Sequence, residues 1–124
     1  MSNTGLYTIS INDNLLRTLP KKPDFIDENN NITSAVFKNS KKDTDGGVSV
    51  NIEYLVLNIL EMFNIDTHTI VRLSARIPLE LNCNCLHDPL PENDAHALIL
   101  NVTKPIARIF AKECKIIHFE GLST

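Results

Sequence analysis

The densest run of chemically capable side chains is Cys83-Asn84-Cys85-Leu86-His87-Asp88, followed closely by Asn93, Asp94 and His96. In an extended segment residues i, i+2 and i+4 share one face, so Cys83, Cys85 and His87 project together. Two thiolates and an imidazole suit zinc, with His96, Cys114 or His118 as the fourth ligand of a structural site. The spacing matches no two-knuckle pattern and holds no paired Cys-x-x-Cys. Small buried cysteines are the ordinary alternative, and no cofactor is expected.

The same stretch offers chemistry without metal. His87 and His96, brought together by a loop that Pro89 and Pro91 stiffen, would supply an acid and a base, with Asp88 orienting one of them. That set suits hydrolysis of a phosphodiester or nucleotide. The competing expectation is that each histidine braces the loop while Asp88 and Asp94 form turns. Cys85 as a nucleophile has no defining motif, and no elbow sequence surrounds Ser49.

A third feature is basic. Lys104, Arg108 and Lys112 recur every four residues, with Lys115 just beyond, and so form one row on a helix. Such a row can meet an acidic protein surface or the phosphates of nucleic acid, with Lys38, Lys41 and Lys42 extending it. Phe110 lies on the opposite side of that helix, so no stacking platform accompanies the row. A solvated lysine face is the plain alternative. Gly46-Gly47 is an isolated pair, so no phosphate-cradling glycine loop supports a nucleotide cofactor.

These residues need elements to position them. Tyr7-Thr8-Ile9-Ser10-Ile11 alternates as an edge strand would, and Leu15, Leu16 and Leu19 form an apolar patch that Pro20 ends. Residues 21–31 form a polar loop rich in turn formers. Thr33-Ser34-Ala35-Val36-Phe37 is expected to pair as a strand, returning through Asp45-Gly46-Gly47 into Val48-Ser49-Val50 as a hairpin.

The periodicity predicts a helix over about 51–64: Ile52, Leu55, Val56, Ile59, Leu60 and Phe63 make one apolar stripe, and Asn51 is a suitable N-cap. Thr69 and its neighbours through Leu73 are strand-like. Pro78 limits residues 75–82 to a short helical turn. Residues 83–87 are extended, 95–102 a strand, and 115–119 a closing strand. Thr103 caps a second helix over about 103–114, with Pro105 in its first turn and Ile106, Ile109, Phe110 and Cys114 as the buried face. The expected architecture is a single α+β domain over 1–124, an antiparallel or mixed sheet packed on two main helices.

Composition bounds the rest. The chain has 124 residues, 43% of them hydrophobic, and Lys+Arg 12 against Asp+Glu 15 give a net charge of -3. That is enough chain for one core, and too apolar for disorder as the default. A wholly basic nucleic-acid coat is excluded. No apolar run reaches the roughly 20 residues that span a bilayer, and the first residues lack the regions of a signal peptide. Three cysteines, an odd number, point to a reducing compartment such as the cytoplasm.

Three segments together carry a pattern. They are Ser34-Ala35-Val36-Phe37-Lys38-Asn39-Ser40, then Ser49-Val50, then His87-Asp88-Pro89-Leu90-Pro91-Glu92-Asn93-Asp94-Ala95-His96-Ala97. With the upstream Leu15-Leu16-Arg17 and the basic Lys104-Pro105-Ile106-Ala107-Arg108, the chain resembles, over most of its own length, a group of short bacterial open reading frames that carry this signature. The resemblance implies no activity. It does single out Arg17, Phe37, Lys38, Ser40, Ser49, His87, Asp88, Asn93 and His96, draws Lys38, Ser49 and the His87–His96 loop into one polar pocket, and leaves Cys83 and Cys85 outside. The leading expectation is an accessory protein that binds a partner macromolecule, through Arg17, Lys38, Ser49 and Asn93 or through Lys104, Arg108 and Lys112.

Overall fold

In the computed structural model the described residues are 6–29, 31–37, 47–57, 64 and 66–117. Six strands lie among them: β1 (Asn14–Pro20), β2 (Val48–Ile52), β3 (His68–Ser74), β4 (Asn84–His87), β5 (His96–Leu100) and β6 (Lys115–Ile117). They form one sheet in the order β4-β5-β2-β1-β3-β6, and every neighbouring pair is antiparallel. Two helices accompany the sheet, α1 (Arg76–Glu80) and α2 (Lys104–Glu113). The fold is a small α+β domain.

Alternation explains the strands. Val48, Val50 and Ile52 point to one face, where Leu15, Val71, Leu73, Ala97 and Ile99 join them in the main core. Leu16 and Ile70, on the other face by register, are also sealed from solvent, so both sides of the central strands are buried. The apolar patch ended by Pro20 is thus a central strand.

α2 forms as its ends predict. Thr103 Oγ1 accepts the Ile106 N–H at 3.4 Å, and Pro105 sits in the first turn where no N–H is needed. Ala107 and Phe110 face the core, and the Phe110 ring meets Phe37 edge-on at 5.5 Å between centroids. Ile109, expected inside, is 40% exposed, because Ala107 takes the inner position beside Phe110.

Three expectations fail, each to a contact that the local pattern does not encode. The helix predicted from residue 51 does not start there: Asn51 and Ile52 end β2, and Glu53–Leu55 make only a 3-10 turn before Val56 returns to extended backbone. Ile52 satisfies the two-residue period of Val48 and Val50 as well as the helical stripe. Pairing decides between them, because Ile52 is in register with Leu15 and its N–H donates to Ala95 O at 2.8 Å. Residues 58–63 of that prediction lie outside the described residues.

The strand expected at 33–37 is a 3-10 turn, Ser34–Phe37, held on α2 by the buried Val36 and Phe37, and β2 pairs instead with β1 and β5. Residues 7–11 are not a strand either. Asp13 folds them into a turn, its carboxylate accepting the Tyr7 hydroxyl at 2.7 Å and the Ser10 N–H at 2.8 Å.

Candidate functional site

The His/Asp loop is closed by its own hydrogen bonds. Asp88 N–H donates to His96 O, and Leu90 and Asn93 exchange both backbone bonds at 3.0 Å. Asn93 reaches outward as well: its side-chain N–H donates to Asn51 Oδ1 at 2.7 Å while its Oδ1 accepts the Ala95 N–H. Asn93 therefore splices this loop to the end of β2.

Strand register separates the two histidines. His87 pairs with Ala97, so its side chain shares the core face with Ala97, whereas His96 pairs with Asn51 on the other face. His87 Nδ1 accepts the Tyr7 N–H at 2.7 Å, and its Nε2–H donates to Asp94 O at 2.6 Å. Both ring nitrogens are thereby engaged with backbone. His96 Nδ1 lies 2.9 Å from Asp88 O and 3.2 Å from Asp88 Oδ2, an arrangement in which Asp88 orients the ring. Asp88 and His96 are brought together, and His87 is not joined to them in a common pocket. A register-dependent face is invisible to spacing alone.

The cysteine face forms as expected, with Cys83 buried and Cys85 and His87 half-buried along it. Cys83 Sγ donates to Asn101 O at 3.7 Å. Burial holds the Cys83 thiol above its ordinary range and pushes Cys85 up to about 12, with Cys83 beside it adding to the rise. Burial likewise lifts Cys114 to about 11. Among the described residues no three His, Cys, Asp or Glu side chains are grouped as a metal ion would need, and His118 lies outside those residues.

Arg17 turns inward. Its Nε donates to Val36 O and its Nη1 to Ser49 O at 2.6 Å, and burial pushes its pKa down. The pairing of β1 with β2 runs only over Leu15↔Ile52 and Leu16↔Asn51, so the guanidinium bridges the strands where the ladder stops. Ser49 contributes its carbonyl to that bridge. Lys38 falls outside the described residues.

The basic row of α2 is solvent-facing throughout. Lys104, Arg108 and Lys112 are exposed, and Arg108 and Lys112 flank a cleft of about 480 Å³ whose far side is Asn31, Ile32 and Ser34. The described ion pairs are Arg72–Glu53, Arg76–Glu80 and His96–Asp88, so no described carboxylate neutralises this row.

A second cleft, of about 720 Å³, shares Ile32 and Cys114 with the first and is lined by Lys21 and Lys22. In the sequence these two lysines read only as part of a polar turn-rich loop. Their position ahead of Pro23 was the one available signal, and it says nothing about the strand that faces them.

No helix among the described residues is long and apolar enough to cross a membrane. No protein-family model, curated protein or solved structure matches the chain, so what it does has to be argued from this geometry.

Proposed function

We propose that the protein is a small accessory protein that binds an acidic protein surface through the exposed face of α2. The supporting observation is the row Lys104, Arg108 and Lys112, aligned along a helix whose inner face is fixed by Phe110 against Phe37, with no described carboxylate paired to it. A rigid helix carries the row, so little backbone freedom is lost from this side on docking. Complementary charge gives such a face orientation and a faster encounter. An acidic protein is favoured over single-stranded nucleic acid because the helix's aromatic, Phe110, is buried and offers bases no platform. The three cysteines are all free thiols, which fits work in a reducing cytoplasm.

A photocrosslinking amino acid at Ile109, exposed beside the row, tests this in native cells. The expected result is one predominant adduct whose yield falls about tenfold in Lys104→Glu/Lys112→Glu and declines with added salt. No adduct, or an adduct indifferent to the charge reversal, sinks the proposal.

A further inference from the structure

The loop that carries Lys21 and Lys22 is a built wall. Lys21 N–H donates to Thr67 O at 3.0 Å, fastening the loop beside the start of β3. Lys22 O accepts the N–H groups of both Phe25 and Ile26, each at 3.0 Å. Ile26 then bridges Ile32, and Asp27 Oδ1 accepts the Asn29 and Asn31 N–H groups at 2.9 Å. Thr33 closes the turn by donating its hydroxyl to Asp24 O. A lysine pair at the base of such a loop starts from a fixed backbone, which lowers the ordering cost of binding.

Opposite this wall stands β6. The cleft between them has an apolar floor, Ile26, Ile32 and Ile116, with Thr69 of β3 behind it and Lys21 and Lys22 at its edge. Its volume, about 720 Å³, lies in the range of small-molecule sites. Neither lysine is paired with a described carboxylate, and Asp27, which also lines the cleft, spends Oδ1 on its own loop. Lys115 lines the cleft too, but its register with Arg72 assigns its side chain to the other face of the sheet. Two lysines at the edge of one cleft suit a dianion better than a single negative charge, and three isoleucines suit an apolar body.

We propose that this cleft binds a small phosphate monoester, its phosphoryl group at Lys21 and Lys22 and its apolar or aromatic body on Ile26, Ile32 and Ile116. The cleft adjoins the one that Arg108 and Lys112 flank, sharing Ile32 and Cys114 with it, but none of Lys104, Arg108 and Lys112 lines it, so it stands whether or not that row takes a partner.

The test titrates the full chain with phenyl phosphate, inorganic phosphate and benzoate, following isoleucine methyl resonances and the heat of binding. Phenyl phosphate is expected to bind one to one, about tenfold tighter than either comparison probe. The shifts should fall on Ile26, Ile32 and Ile116 and not on the core residues Ile52 and Ile99. Lys21→Gln/Lys22→Gln, both exposed positions, should weaken phenyl phosphate by about tenfold, while Lys104→Gln leaves it unchanged. Equal affinity for the three probes, shifts elsewhere, or indifference to the double lysine variant would each overturn the assignment. So would the absence of binding at millimolar phenyl phosphate. Because Lys104→Gln alters only the α2 row, loss of phosphate binding and loss of the protein partner are separable results.

Discussion

The Tyr7 backbone N–H donates to His87 Nδ1 at 2.7 Å across 80 positions of chain. Since Nδ1 accepts there and Nε2 faces the Asp94 carbonyl, the partners fix the neutral Nε2–H tautomer. The ring is a clamp that ties the N-terminal turn and the β4–β5 loop to one strand. His87→Ala removes both bonds and should cost about 1–3 kcal/mol in urea unfolding. It should also expose the Tyr7 amide to fast hydrogen exchange. Imidazole nitrogen shifts of the wild type should report the Nε2–H form. Unchanged stability with a still-protected Tyr7 amide would show that the clamp carries nothing.

Arg17 acts on the same scale by another route. It supplies one donor across β1 and β2 beyond Leu16↔Asn51 and a second to the Ser34–Phe37 turn, and it does so half-buried, with carbonyls as its partners. Arg17→Met keeps the stem and leaves the Val36 and Ser49 carbonyls without these donors, at a cost of about 2–3 kcal/mol. Arg17→Lys should recover less than half, because one ammonium cannot reproduce two fixed guanidinium directions. Full recovery in the lysine variant would mean that charge, and not the fork, is what matters at this position.

Local signals in the chain sufficed where one element could satisfy them alone. Thr103 and Pro105 marked α2 because capping and a missing N–H are decided within one turn. β3 was legible from its β-branched run, and the inward set Cys83, Cys85 and His87 from simple alternation. Ile52 misled because two periods fit it, and its partners Leu15 and Ala95 lie about forty positions away on either side. His87 and His96 misled for a related reason: proximity in sequence looked like a pair, and antiparallel register put them on opposite faces. The lysine cleft was out of reach, since nothing near Lys21 announces that Ile116 lies opposite it.

Two asparagines close the ends of β4 and β5 with left-handed backbone, Asn82 at φ 64° and Asn101 at φ 67°. Asparagine tolerates that region better than most side chains, and glycine better still. Asn101 also presents its carbonyl to Cys83 Sγ, so its backbone orientation has a packed consequence. Asn101→Ala should lower stability by about 1 kcal/mol, and Asn101→Gly should be neutral or slightly stabilising. Thermal unfolding of the two variants side by side checks this, and an alanine variant as stable as the glycine one would remove backbone strain as the cause.

Cys85 makes the fold sensitive to alkali. Burial lifts its folded-state pKa from an ordinary 9.0 to about 12, so the protein holds the neutral thiol more firmly than the unfolded chain does. The sign follows directly. Below pH 9 both states carry the thiol and the contribution to stability is complete; between pH 9 and 12 only the unfolded state gains by ionising, and stability falls as pH rises. Full linkage would remove about 1.4 kcal/mol per pH unit, and the half-buried position of Cys85 reduces this to an expected loss of about 0.5–1 kcal/mol per unit. Cys114, raised to about 11 by burial, adds a smaller term of the same sign. Cys85→Val keeps an apolar side chain of similar size and has nothing to ionise, so its urea midpoint should decline less steeply than the wild type's from pH 9 to pH 11. Lysine and tyrosine titrations are common to both proteins and cancel in the difference. Parallel declines would place Cys85 in water at high pH and remove it from the account of stability.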